Sequence, residues 1–183
     1  MNSRQNITKP VFNILTDELP SEYQGAIVRT DFKQAIKFFK LVEDEELDDT
    51  EKTNLIIMCL FETMPKACND LWEFINFYIS GGEENKQSGS SEKLFCFNQD
   101  ADRVYSAFRQ VYNMDLRAED LHWWEFLALF KCLPEGTNLA RVIEIRGQDI
   151  TAQKDPKTRA KMMKQQSQVA LKTNETFSMN GFM

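Results

Sequence analysis

The single histidine of the 183-residue chain is His122, and its four cysteines stand at 59, 68, 96 and 132. A lone imidazole can act as a general base, but that work needs a nucleophile or acid held against it. The nearest carboxylate in sequence is Asp120, and no Ser or Cys is placed as a partner. His122 lies in Asp120-Leu121-His122-Trp123-Trp124, which favours a half-buried imidazole hydrogen-bonded to backbone. No two cysteines have the C-x₂₋₄-C spacing of a zinc site. Each has apolar neighbours, as in Met58-Cys59-Leu60 and Phe95-Cys96-Phe97, so all four read as small buried hydrophobes. Carboxylates are numerous but clustered, not isolated in apolar surroundings that would raise a pKa. The sequence holds no HExxH, GxSxG, GxGxxG or EF-hand pattern. These residues point to no enzyme, no cofactor and no metal.

Attention therefore moves to what the chain could bind. Lys and Arg number 22 against 28 Asp and Glu, a net charge of −6, and the sequence pI is about 5.0. The charge is uneven: residues 1–153 sum to −10 and residues 154–183 to +4. An acidic body repels phosphate, so nucleic acid is disfavoured as a partner. The basic end still offers a surface to RNA, DNA or an acidic protein face. Trp123-Trp124 is either a pair packed in the core or, with one ring at the rim, an anchor for a partner. Trp72, Trp123, Trp124, Arg159, Lys161 and Lys164 are the partner-binding candidates.

Gly and Pro total only 7 and 5, while Phe alone appears 14 times. That suits a mostly α protein with an aromatic core, a compact multi-helix bundle. The longest apolar run, Leu55–Phe61, is far short of the ~20 residues of a membrane span. The N-terminus shows no apolar signal region, so a reducing cytoplasm and no membrane are expected.

Residues 1–26 read as an N-terminal arm or hairpin, with apolar pieces Val11–Leu15 and Ala26–Val28 around Pro20 and Gly25. Residues 27–172 read as the helical domain. Asp31 starts a helix with Gln34 in capping-box position, and Phe32, Ala35, Ile36, Phe39 and Val42 form its stripe. Seven of the nine residues Glu43–Glu51 are acidic, a solvated linker or a docking site. Asp49 or Thr50 caps a second helix, apolar all round and so expected at the centre. Pro65 suits the first turn of a third, lined by Leu71, Trp72, Ile75, Tyr78 and Ile79 and stopped at Gly81-Gly82. Residues 83–93 read as a flexible loop without the P-loop pattern. Helices follow over about 98–112, then from Asp115 or Asp120 to Cys132, then from Thr137 to Gly147. Asp155-Pro156 opens a basic helix, and residues 173–183 are expected to be disordered.

The order of these motifs resembles the bacteriophage gene-product-fifteen family of long-tailed phages and related prophages. The resemblance rests on Thr30-Asp31-Phe32, the acidic turn from Glu43 to Lys52, and Phe77-Tyr78 before Gly81-Gly82. It continues through Phe95-x-Phe97-x-x-Asp100, Phe108-x-x-x-Tyr112-x-x-Asp115-Leu116 and above all Asp120-Leu121-His122-Trp123-Trp124-x-Phe126. Leu133-Pro134, Arg146, Asp149 and the basic terminal helix extend it, so that it spans about Ile27 to Leu171. The resemblance implies a phage tail morphogenesis factor of the host cytoplasm, a tail-assembly chaperone encoded between the tail tube and tape-measure genes. Its implied partner is the tape-measure protein, with the tail tube protein as a second candidate and self-association left open. The rival reading is a structural tail or connector protein retained in the virion.

Overall fold

A computed structural model describes residues 12–66, 70–83 and 93–172, and over these the chain forms seven α-helices and one small hairpin. The helical expectation is met. The hairpin is β1 (Glu22–Tyr23) and β2 (Ala26–Ile27), paired antiparallel. It does not use Val11–Leu15: residue 11 lies outside the described residues, and Asn13–Asp17 closes a turn on its own side chains. Gln24 and Gly25, both at positive φ (48° and 81°), make the two-residue connection whose twist suits a hairpin.

Helix α1 (Phe32–Val42) buries Phe32, Ala35 and Phe38. Asp31 caps it by accepting from Lys33 N, but Gln34 does not close a capping box. Helix α2 (Asp49–Leu60) is capped one residue earlier than expected, by Asp48, and here the box with Glu51 does form. Charge in the acidic run thus serves a helix start. Glu43, at its other end, pairs with Lys93 and accepts from Cys96 and Asn98. Helix α2 is not central: it buries Lys52, Ile56 and Leu60 and leaves Met58 64% exposed. Helix α3 (Leu71–Ile79) starts well after Pro65, which lies outside it, and buries Leu71, Ile75 and Tyr78. The sequence-predicted loop 83–93 falls mostly on 84–92, outside the described residues, as does 173–183.

Helices α4 (Ala101–Tyr112), α5 (Trp123–Lys131), α6 (Asn138–Gly147) and α7 (Pro156–Val169) complete the fold. Thr137 and Asp155 cap the last two through Ala140 N and Thr158 N, as their sequence positions suggest. The core is aromatic. Phe126 of α5 stacks on Phe32 of α1 at 4.8 Å, on Phe108 of α4 at 5.1 Å and on Trp123 at 5.6 Å. A buried ion pair ties α4 to α6: the Arg146 guanidinium donates to both Asp100 oxygens at 2.7 and 3.0 Å. It also donates to Leu94 O at 2.9 Å and to Val169 O at the end of α7 at 2.6 Å. Burial pushes the Asp100 carboxyl up, but the Arg146 hydrogen bonds, the Cys96 N–H and the Arg103 charge outweigh it and hold it below its ordinary value.

Two glycines set the approach of α3 to α5. Gly81 and Gly82 sit at φ 70° and 79°, and Gly82 N bonds back to Phe77 O. A Cβ on Gly81 would lie 2.9 Å from Leu127, and one on Gly82 3.0 Å from the Trp124 ring. Gly82→Ala should therefore cost about 1–3 kcal/mol in urea unfolding, from left-handed backbone plus a displaced indole. Asp100→Ala should cost about 3–5 kcal/mol, because it strands a buried guanidinium, and adding Arg146→Met should recover part of the loss.

Candidate partner-binding surface

The two adjacent tryptophans are both interior. Trp123 is fully buried and Trp124 is 3% exposed. Their indole N–H groups donate to Ile79 O at 3.0 Å and Tyr78 O at 2.7 Å, the last carbonyls of α3. A buried indole N–H needs an acceptor, and the end of α3 supplies two, although Tyr78 O also accepts from Gly81 N at 3.2 Å. Neither ring is presented as a surface anchor. Trp72 is half-buried on α3, away from them in sequence and packed at the edge of the core. Arg159, Lys161 and Lys164 are exposed on α7, a helix with no buried residue. The six candidate residues therefore do not converge on one site.

His122 is the N-cap of α5. Its Nδ1 accepts from Trp124 N at 3.0 Å, and Glu125 accepts from His122 N to close a capping box. With Nδ1 accepting, the ring proton belongs on Nε2, which lies 3.1 Å from Pro20 O. Burial pulls the imidazole pKa down, against smaller upward effects from Pro20 and Glu125. Every polar atom of the ring has a backbone partner, which is the structural role its sequence context favours. The cysteines differ from expectation in part. Cys96 is buried and Cys59 half-buried, its thiol donating to Gln34 O and pushed up in pKa by burial. Cys132, the C-cap of α5, is exposed, and Cys68 lies outside the described residues. Among the described residues no group of three His, Cys, Asp or Glu is arranged to hold a metal ion. Nor, among them, is any helix long and apolar enough to cross a membrane.

An open apolar groove of about 440 Å³ runs between α1 and the start of α4. Buried Phe32, Val104 and Leu116 form its depth, while Ile36 and Tyr105 stand half-buried above them. Lys33 and Arg117 are the charged residues of its lining. Sequence patterning cannot find this groove, because its walls come from α1, Phe97, α4 and the turn at 116–117. A second apolar area lies on the outer side of α2 and beyond it, where Leu55, Met58 and Met64 are exposed. Exposed methionines are adaptable contact residues.

A family model described as Bacteriophage Gp15 protein matches residues 15–171. The match takes in the hairpin, the groove and all seven helices up to the end of α7. No curated protein and no solved structure matches.

The His122 cap predicts a pH dependence. A depressed imidazole means that the unfolded chain binds the proton more readily than the folded one, so stability falls as pH drops through the ordinary value of 6.5. Protonation also turns the Nδ1 acceptor into a donor facing Trp124 N–H. His122→Asn keeps an N-cap oxygen that does not titrate. Thermal unfolding followed from neutral to mildly acidic pH should show a steeper loss in the native chain than in His122→Asn.

Proposed function

Because the chain belongs to the bacteriophage Gp15 family, we propose that it is a phage tail morphogenesis factor, a tail-assembly chaperone that binds the tape-measure protein during tail assembly. The reading extends the family match by one observation, the open apolar groove between α1 and α4. A chaperone of long helices needs such a concave apolar surface, enough charge to stay dispersed, and affinity weak enough to reverse. The −6 net charge supplies the second requirement. Bond-making is not part of the proposal. The contact surface is the groove, with the outer side of α2 as an additional area, in place of the tryptophans of α5. The tail tube protein is proposed as a second partner, and the host cytoplasm as the place of action. Nucleic acid is not proposed: the basic stripe of α7 belongs to a chain whose first 153 residues sum to −10.

Co-expression with the cognate tape-measure protein tests the proposal. The partner should move from the insoluble to the soluble fraction, and Ala101→Trp, which fills the groove from an exposed position, should reduce that rescue severalfold. Mass spectrometry of purified particles should find the chain absent. Stoichiometric presence in the particle would instead make it a structural tail or connector protein retained in the virion.

A further inference from the structure

We propose that the groove between α1 and α4 accepts an amphipathic helix whose apolar stripe is flanked by glutamates or aspartates, with the lysines of α1 and Arg117 reading those carboxylates. The inference rests on the chaperone reading and adds the chemistry of the helix that the groove selects.

Shape is the first argument. The groove is open along one side and bounded by two helices, α1 and α4, that each find their close neighbours elsewhere, α1 in α2 and α5 and α4 in α6. A third helix can lay a row of side chains into such a gap, ridge into groove. Its depth is aromatic and aliphatic throughout, so the inserted row must be apolar.

Charge is the second. Residues 32–42 hold Lys33, Lys37 and Lys40 and no acid, in a body whose first 153 residues sum to −10. At 100° per residue the three lysines fall within about 60° of one another, on the flank next to Phe32 and Ile36. They span roughly 10 Å, two helical turns, so carboxylates at i, i+3/i+4 and i+7 of a partner match them in pitch. Arg117 adds a cation within the lining. Lys33 Nζ spends one proton on Glu119 O at 2.8 Å and keeps two. Opposing charge comes from Asp115, which accepts from Arg117 N at 3.1 Å, and from Asp102 in the first turn of α4, so selectivity rests on the three lysines of α1 together with Arg117.

The test uses the full chain and two labelled helical peptides of about 20 residues. They share one leucine stripe, flanked in one by glutamate and in the other by lysine, and binding is read by fluorescence anisotropy at low and high salt. The glutamate peptide should bind about tenfold more tightly at low salt, with the margin shrinking at high salt. Lys37→Glu/Lys40→Glu, both exposed sites, should abolish or invert the preference. Ala101→Trp should weaken both peptides. Equal affinity for the two peptides, binding of neither, binding indifferent to Ala101→Trp, or binding of dodecanoate alone would each overturn the inference. Tape-measure rescue without peptide discrimination would overturn it and leave the chaperone reading standing. Peptide discrimination without rescue would support it and overturn that reading.

Discussion

Four consecutive residues, Leu121–Trp124, hold the molecule together by donating to or accepting from backbone that lies far away in sequence. Phe32 N donates to Leu121 O, and Trp123 N donates to Thr30 O at 2.7 Å. His122 reaches Pro20 O ahead of the hairpin, and the two indoles donate to the last two carbonyls of α3. The start of α1, the approach to the hairpin, the end of α3 and the start of α5 are therefore one joint. Each indole bond gives a buried N–H its acceptor, so breaking one leaves a polar atom without a partner. This constraint explains why two adjacent tryptophans are both interior although successive helical residues point about 100° apart. The carbonyls of Tyr78 and Ile79 are themselves consecutive, and two adjacent indoles are what reaches them.

The second half of the chain is held by a different device. Asp100, buried at the N-cap of α4, caps no backbone N–H of its own helix and accepts instead from the guanidinium groups of Arg146 and Arg103 and from Cys96 N. Arg146 in turn collects the carbonyls of Leu94 and Val169. The fork geometry of a guanidinium lets one side chain fix one carboxylate and two carbonyls at once. With α1 and α5 set by the first joint and α4 and α6 by the second, the space between α1 and α4 is left unfilled, and the groove is the result.

Much of this was legible in the residues. The stripes of α1, α3 and α6, the caps at Thr137 and Asp155, and the stop at Gly81-Gly82 follow from local rules that the chain obeys locally. The errors share a cause in tertiary context. Leu55–Phe61 is apolar on every side, yet periodicity says nothing of how many neighbours a helix has, and α2 has its main one in α1. The strands at 22–27 are two residues each, too short for an alternation to appear. Pro65 is buried without being helical. For Trp123 and Trp124 the residues left a packed pair and a rim anchor both open, because acceptors 44 and 46 residues away are invisible in a linear pattern. The groove was illegible for the same reason, being assembled from α1, Phe97, α4 and the 116–117 turn.

Helix α7 carries a consequence of its own. It buries no side chain, and its hold on the body is polar: Gln166 donates to the carbonyls of Ile145, Arg146 and Gln148, and Gln99 and Lys172 exchange two bonds beyond its end. Attachment of that kind has little heat-capacity signature and few methylene contacts to lose, since water can replace most of what is broken. The helix is fastened like a latch instead of welded into the interior, with Arg146 holding the carbonyl of Val169 at its end. Few apolar contacts resist its opening, so its amides should exchange with solvent deuterium sooner than those of α4, α5 and α6.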